Sequence, residues 1–254
     1  MNITDRHQLI LQQLQEKGKV DIQELSDALQ VSGVTIRKDL KLLEEKKLLF
    51  RTKGGGSTRN PYTIEKPINE KEFIQSEEKK KIAQAALPLI GQNDAIIIGS
   101  GTTVFELARI LHPSKQLTVI TPALKVALEL CNRQHIAVLQ MGGLIHQTSS
   151  SAAGSFAERL LDDISCGMLF IGVDGIDMEF GLSITNLAEA SLNTKMIHRA
   201  QTVVVLADSS KFNRRGIGRI GGLEEVDYIV TDSLVPADSV RTLQEQGIQV
   251  IIAG

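Results

Sequence analysis

Apolar positions recur at helical spacing from the start of the chain. Leu9, Ile10 and Leu14 make a stripe that predicts a helix over Thr4–Lys17, and Gly18 ends it. Val20 predicts a short strand. Asp21 followed by Glu24 reads as a capping pair opening a second helix, Ile22–Leu29, whose Leu25 and Leu29 join Val31 in a small core. Ser32 then caps a third helix running toward Lys47. Ile36, Leu40 and Leu43 fall at i, i+4 and i+7 and turn one stripe inward, leaving Thr35, Arg37, Lys38 and Lys41 on the other faces. Short polar groups near a helix start, with cations beyond them, suit a helix that reads the DNA major groove. The competing reading is a solvated amphipathic helix.

After Leu48-Leu49-Phe50, Arg51 and Lys53 alternate with smaller residues, and Gly54-Gly55-Gly56 follows. This predicts a β-hairpin wing, with the glycines supplying positive-φ turns and Arg51, Lys53 and Arg59 lying along phosphates. A flexible basic linker is the alternative. Residues 57–75 hold Pro61 and Pro67 with little periodicity. The expected organisation is a DNA-binding domain over 1–58, a linker over 59–75 and a larger domain over 76–254.

A helix is predicted from Ser76 to about Leu89. From Asp94 onward, apolar β-branched runs alternate with amphipathic segments. The runs are Ala95–Ile98, Leu117–Thr121, Ile136–Met141, Met168–Val173, Thr202–Ala207, Tyr228–Thr231 and Val250–Ile252. Continuous apolar strands between helices predict an α/β domain with a mostly parallel sheet covered on both faces. Such sheets bind ligands at the carboxyl ends of their strands.

Charge sharpens this division. The 254 residues carry a net −2, yet residues 31–60 hold 8 Lys and Arg against 3 Asp and Glu. The part after residue 60 holds 17 against 22. Only the N-terminal module is therefore expected to meet a polyanion. No apolar run approaches the ~18 residues of a membrane helix, and no leader pattern is visible, so a cytoplasmic protein is expected. Cys131 and Cys166 lack metal-ligand spacing and read as buried thiols; no metal or cofactor is expected.

Candidate chemistry sits at the predicted strand ends. Gly99-Ser100-Gly101-Thr102-Thr103 runs straight into a helix, where free N–H groups, hydroxyls and the helix dipole favour an anion. It matches neither a Walker loop nor a dinucleotide fingerprint. Gly142-Gly143, Asp174-Gly175-Ile176-Asp177 and Asp208-Ser209-Ser210-Lys211 follow other strands. Lys211 can pair with phosphate, and Asp174 and Asp177 can accept from sugar hydroxyls. Glu189 and Lys195 either line the same pocket or lie on a solvated helix face.

Taken together, the chain resembles the DeoR family of bacterial transcriptional regulators. Arg6, Ile10, Leu14, Ser32, Thr35, Ile36, Arg37, Lys38, Asp39 and Leu40 fit that family's helix-turn-helix signature in type and spacing. The likeness continues through Arg51, Gly54-Gly55 and nearly the whole chain. It implies a winged helix-turn-helix followed by an α/β sensor domain resembling ribose-5-phosphate isomerase. It also implies a homo-oligomer, dimer or tetramer, on a double-stranded DNA operator. Such a protein is expected to repress a carbohydrate-use operon until a phosphorylated sugar releases it. The implied DNA contacts are Ser32, Thr35, Arg37, Lys38, Lys41, Arg51 and Lys53. The implied effector pocket uses Ser100, Gly101, Thr102 and Thr103, the Gly142-Gly143 pair, His146, Asp174, Asp177, Glu189 and Lys211. The chain departs from the family at Gly99, where many members have Asp, at Pro122 in place of Asn, and at His146 in place of Arg. An imidazole holds phosphate less firmly than a guanidinium fork. The alternative is a sugar-phosphate isomerase-like enzyme with Glu189 as base. Ala190 stands where that enzyme has Lys, and fold likeness alone does not carry activity.

Overall fold

The computed structural model describes residues 2–46, 48–52, 54–58 and 67–254. The chain divides into two compact units, Met1–Ile64 and Glu65–Gly254.

In the first unit, helix α1 (Ile3–Lys17) starts where the Asn2 side chain accepts the Asp5 N–H at 2.8 Å and stops at left-handed Gly18. Strand β1 (Lys19–Asp21) leads into α2 (Ile22–Leu29), capped by Asp21, whose carboxylate accepts the N–H groups of Gln23 and Glu24. Helix α3 (Gly33–Glu45) is capped by Ser32. Strands β2 (Phe50–Thr52) and β3 (Gly55–Ser57) complete an antiparallel sheet of order β1-β3-β2. Ile10, Leu14, Val20, Leu25, Ile36, Leu40, Leu43 and Leu49 form the core beneath it. Gly55 and Gly56 do not adopt the positive φ expected of the wing glycines. A Cβ on Gly55 would lie 1.8 Å from the Val20 carbonyl oxygen. Close approach of β3 to β1, rather than turn geometry, is what demands glycine there.

The second unit begins with α4 (Ile68–Glu72) and α5 (Ser76–Ala86); the latter tightens into a 3-10 turn at Leu87–Ile90, which contains Pro88. The chain then alternates: β4 (Ala95–Ile98), α6 (Thr102–Ile110), β5 (Leu117–Thr121), α7 (Leu124–Leu130) and β6 (Ile136–Gln140). A hairpin, β7 (Leu144–His146) and β8 (Ser151–Ala153), precedes α8 (Ser155–Leu160) and β9 (Cys166–Gly172). Next come β10 (Gly175–Asp177), β11 (Gly181–Ile184), α9 (Leu187–Arg199), β12 (Ala200–Leu206) and β13 (Gly218–Gly221). Strand β14 (Tyr228–Asp232), α10 (Ala237–Glu245) and β15 (Gln249–Ala253) close the unit.

Seven of these strands form one sheet, β15-β14-β12-β9-β4-β5-β6, with every pairing parallel. Both faces are covered. Ile96 and Ile98 belong to a cluster with Ile82, Val104 and Leu107, while Ile97 joins the opposite cluster with Leu169, Met196 and Leu243. This two-sided burial explains the unbroken apolar runs of the sequence. Strand order reverses between β4 and β9, and in sheets of this kind ligands bind in the crevice outside the carboxyl ends of the strands at such a switch point.

Three features depart from the sequence reading. Residues 67–75, read as linker, lie in the second unit, where Ile68 is buried and donates its N–H to the Thr148 carbonyl at 2.7 Å. An antiparallel sheet, β10-β11-β13, and the β7-β8 hairpin fill stretches read as loops. Cys166 is buried but Cys131 is exposed: Val126 and Leu130 hold the inward face of α7, and the next residue is rotated off it. No helix among the described residues is long and apolar enough to cross a membrane.

Candidate DNA-reading face and effector pocket

On α3, the Ser32 hydroxyl accepts the Thr35 N–H at 3.2 Å and lies 3.0 Å from the Thr35 hydroxyl, so both groups are engaged at the helix start. Arg37, Lys38 and Lys41 are exposed, and Lys41 lies 3.9 Å from Glu45 one turn on. Val34 is 60% exposed beside them, an apolar group on the same helix that the sequence reading passed over. The first strand of the wing is tied to α3 by Glu44, which accepts the Arg51 N–H at 2.7 Å and lies 3.8 Å from its guanidinium. Lys53 and Arg59 lie outside the described residues.

The angle of α3 is fixed from its buried side. Asp39 takes two hydrogen bonds from Arg6 of α1, at 2.5 and 2.9 Å, and stands 3.1 Å from the His7 imidazole. Burial opposes ionisation of Asp39, but Arg6 and His7 outweigh it and hold the carboxyl below its ordinary range. Arg6 and Asp39 stand out in the sequence as signature residues; their pairing is a product of the fold.

In the second unit, the expected effector residues gather at the crevice only in part. The β4 and β9 ends pass in contact: a Cβ on Gly172 would meet the Ser100 carbonyl oxygen at 3.1 Å. Gly101, at φ 129°, turns the chain into α6, and Thr102 and Thr103 are buried at that helix start. The Ser100 hydroxyl lies 2.5 Å from that of Ser151, whose loop folds over the end of β5 through Ser150 and Ala152. In the same loop Ser149 donates to the buried Glu189 carboxylate.

Asp174, just beyond β9, is the electrostatic centre. It accepts from Lys71 at 3.0 Å and from the Thr185 N–H at 3.0 Å, and Lys211 stands 4.0 Å away. Burial works against its charge, but the two amines and the N–H keep it below the usual carboxylate range. Burial also lowers the Lys211 amine, with Asp208 and Asp174 opposing that effect. Lys71 was invisible from the sequence because it lies in the stretch read as linker.

Five residues expected at or near the pocket have other duties or positions. Asp177 accepts the Glu179 and Phe180 N–H groups and pairs with Arg215 at 2.7 Å, closing the β10–β11 turn. Gly143 is required by the hairpin, because a Cβ there would lie 2.5 Å from the Ala153 carbonyl oxygen; Gly142 is exposed with open space around it. His146 is half-buried at the end of β7, in register opposite Ser151. Lys195 pairs with Asp162 at 2.8 Å instead of joining the crevice. A groove of about 320 Å³ lined by Met178, Glu179, Arg219 and Gln246 lies on other elements; it holds none of the residues around Asp174. Among the described residues no group of three or more His, Cys, Asp and Glu side chains is placed to hold a metal ion.

The DeoR-like helix-turn-helix domain matches residues 6–60, and the DeoR C terminal sensor domain matches residues 74–233. A putative aga operon transcriptional repressor of Escherichia coli O157:H7 is 36% identical over 99% of this chain and 94% of its own length. The glycerol-3-phosphate regulon repressor of Escherichia coli K12 is 29% identical, over 98% of each chain. Ribose 5 phosphate isomerase A from Neisseria gonorrhoeae superposes over 56% of this chain and 55% of its own, with 18% identity and a TM-score of 0.39, too loosely to carry weight. The curated relatives of this chain are named regulators, and its first domain is of a DNA-binding class rather than a catalytic one. The chain belongs to the DeoR family and is a DNA-binding transcriptional regulator with an N-terminal helix-turn-helix domain and a C-terminal sensor domain.

Proposed function

We propose that this regulator represses a carbohydrate-utilisation operon and leaves its operator when a phosphorylated sugar or sugar derivative occupies the crevice at the switch point of the sheet. The observation that carries the reading is the charge arrangement at Asp174, where one carboxylate faces two amines, Lys71 and Lys211. Asp208 also acts on Lys211, so both amines are partnered by carboxylates, and an entering anion competes with those carboxylates for them. Ser100, Thr102 and Ser151 add hydroxyls, and the start of α6 adds backbone donors, for a polyhydroxy body. The names of the relatives, an aga operon repressor and a glycerol-3-phosphate regulon repressor, point to the same class. Half-buried His146 stands where an Arg is common in the family and favours a more weakly held phosphate, or one bound chiefly through the lysines.

On the operator, Arg37, Lys38 and Lys41 meet the major groove with Val34 as an apolar contact for a thymine methyl, and Arg51 and Lys53 meet the backbone. The protein acts as a homo-oligomer on paired half-sites, as helix-turn-helix modules commonly do.

The test is fluorescence anisotropy of the full chain on its own upstream DNA. The titrants are aldose, ketose and polyol phosphates, the matching free sugars and inorganic phosphate. Release by one sugar phosphate, but not by its free sugar, is expected. Tight DNA binding that no phosphorylated compound alters overturns the effector class.

A further inference from the structure

Helix α4 is short, yet it is fastened at four places. The Ile68 N–H meets the Thr148 carbonyl at 2.7 Å. Lys125 of α7 donates to Asn69 at 2.7 Å and to the Glu72 carboxylate. Lys71 meets Asp174. Lys79 of α5, itself almost fully buried, donates to the Lys71 and Ile74 carbonyls at 2.6 Å each. Two of these fastenings reach the proposed pocket. Thr148 shares a loop with Ser149 and Ser151, which touch Glu189 and Ser100, and Asp174 is the pocket's carboxylate. In sequence, residues 59–66 alone separate the wing from Pro67 and α4.

We infer that Lys71 is both an anion contact of the pocket and the latch that holds α4. Transfer of its amine from Asp174 to the bound anion is then the step by which occupancy reaches the DNA-binding unit. The inference rests on the effector reading above and adds the regulatory residue to it. Asp174 serves two amines, so an entering phosphate competes for the nearer one with more negative charge and more acceptor oxygens. A lysine held at 3.0 Å in a partly solvated pair gives up that partner at modest cost. Once it does, α4 keeps its other fastenings but loses the one that ligand binding can control. A ligand shifts an equilibrium only by its differential interaction with the two states, and the Lys71 ion pair supplies that difference.

The experiment compares the full-length wild type with Lys71→Met, Lys71→Arg and Asp174→Asn on the operator, first without ligand and then with the sugar-phosphate panel. Breaking the latch mimics the effector. Lys71→Met and Asp174→Asn should each weaken operator binding about tenfold with no ligand present, within the usual range of allosteric coupling. Both should respond little to further phosphate compound. Lys71→Arg, which keeps the charge, should remain near wild type. Lys195→Met, which breaks the ion pair with Asp162 elsewhere in the same unit, should leave operator binding unchanged. Asp174→Asn leaves no unpaired buried carboxylate, so it guards against a folding defect in Lys71→Met. Wild-type operator affinity and wild-type release in both latch variants overturn the inference. If no panel compound releases the wild type while both latch variants still bind DNA weakly, the effector class fails and the latch stands.

Discussion

Lys79 shows how one side chain can serve geometry at an electrostatic cost. Burial lowers its amine from 10.5 to about 8; nearby Lys211 and Lys71 push the same way, and Asp208 and Glu106 push back. The unfolded chain therefore binds more protons than the folded one between about pH 8 and 10.5, and stability attributable to Lys79 rises with pH across that window. Thermal unfolding of wild type and Lys79→Met should show this as a difference: the wild type gains stability from pH 8 to 10, and the variant gains less. Parallel curves would mean that the amine is not held against its charge. The proposed DNA-contact residues act one at a time in another sense. Arg37→Ala should cost about 1–3 kcal/mol and relax preference at one base position. Lys53→Ala should weaken all sequences alike and reduce the salt slope by about 1. Anisotropy on a set of single-base operator variants separates the two outcomes.

At the scale of elements, the α1–α3 clamp and the wing carry the argument. Removing Arg6 while leaving Asp39 buried strands a carboxylate, which costs about 3–5 kcal/mol in comparable buried pairs. Arg6→Met should therefore lower the unfolding temperature of the full chain and reduce affinity for operator and unrelated DNA together. The clamp also has an acid limit. With its folded value below 3.8, Asp39 contributes its full stability above that pH and loses it as pH falls through the folded value. The wing depends on a missing atom. Gly55→Ala places a Cβ against the Val20 carbonyl and should detach β3 from β1, with a loss above about 2 kcal/mol. Unchanged urea unfolding in Gly55→Ala would contradict that register.

Across the whole molecule, charge and topology divide the labour. The basic stretch over residues 31–60 belongs to the unit that carries α3 and the wing, and the net negative remainder forms the sensor. DNA binding should then show strong counterion release. For six or more phosphate contacts, affinity falls by roughly a thousandfold or more between about 50 and 200 mM salt. An affinity flat in salt would exclude the proposed backbone contacts. In the sensor, the reversal of strand order between β4 and β9 places Ser100 and Gly101 beside Gly172, two residues before Asp174, which is why residues about seventy positions apart converge.

Sequence by itself determined what is local. Ser32 and Asp21 cap their helices because a short side-chain oxygen reaches an N–H two or three residues on, and no distant partner is needed. The seven parallel strands were legible because burial on both faces leaves an unbroken apolar run. The family was legible in the spacing of residues on two helices, α1 and α3. What depends on distant partners was decided only in three dimensions. Nothing near Lys71 announces Asp174, so a stretch with prolines and little period reads as linker until Ile68 and Lys71 find partners far along the chain. Asp177 looks like a ligand contact until Arg215 and its own turn converge on its Oδ1. Gly55 looks like a turn former and Gly143 like a pocket residue until the neighbouring strand shows that a Cβ has no room. Periodicity reports which face of an element is buried, whereas the pairing of charges and the closeness of backbones belong to the tertiary structure alone.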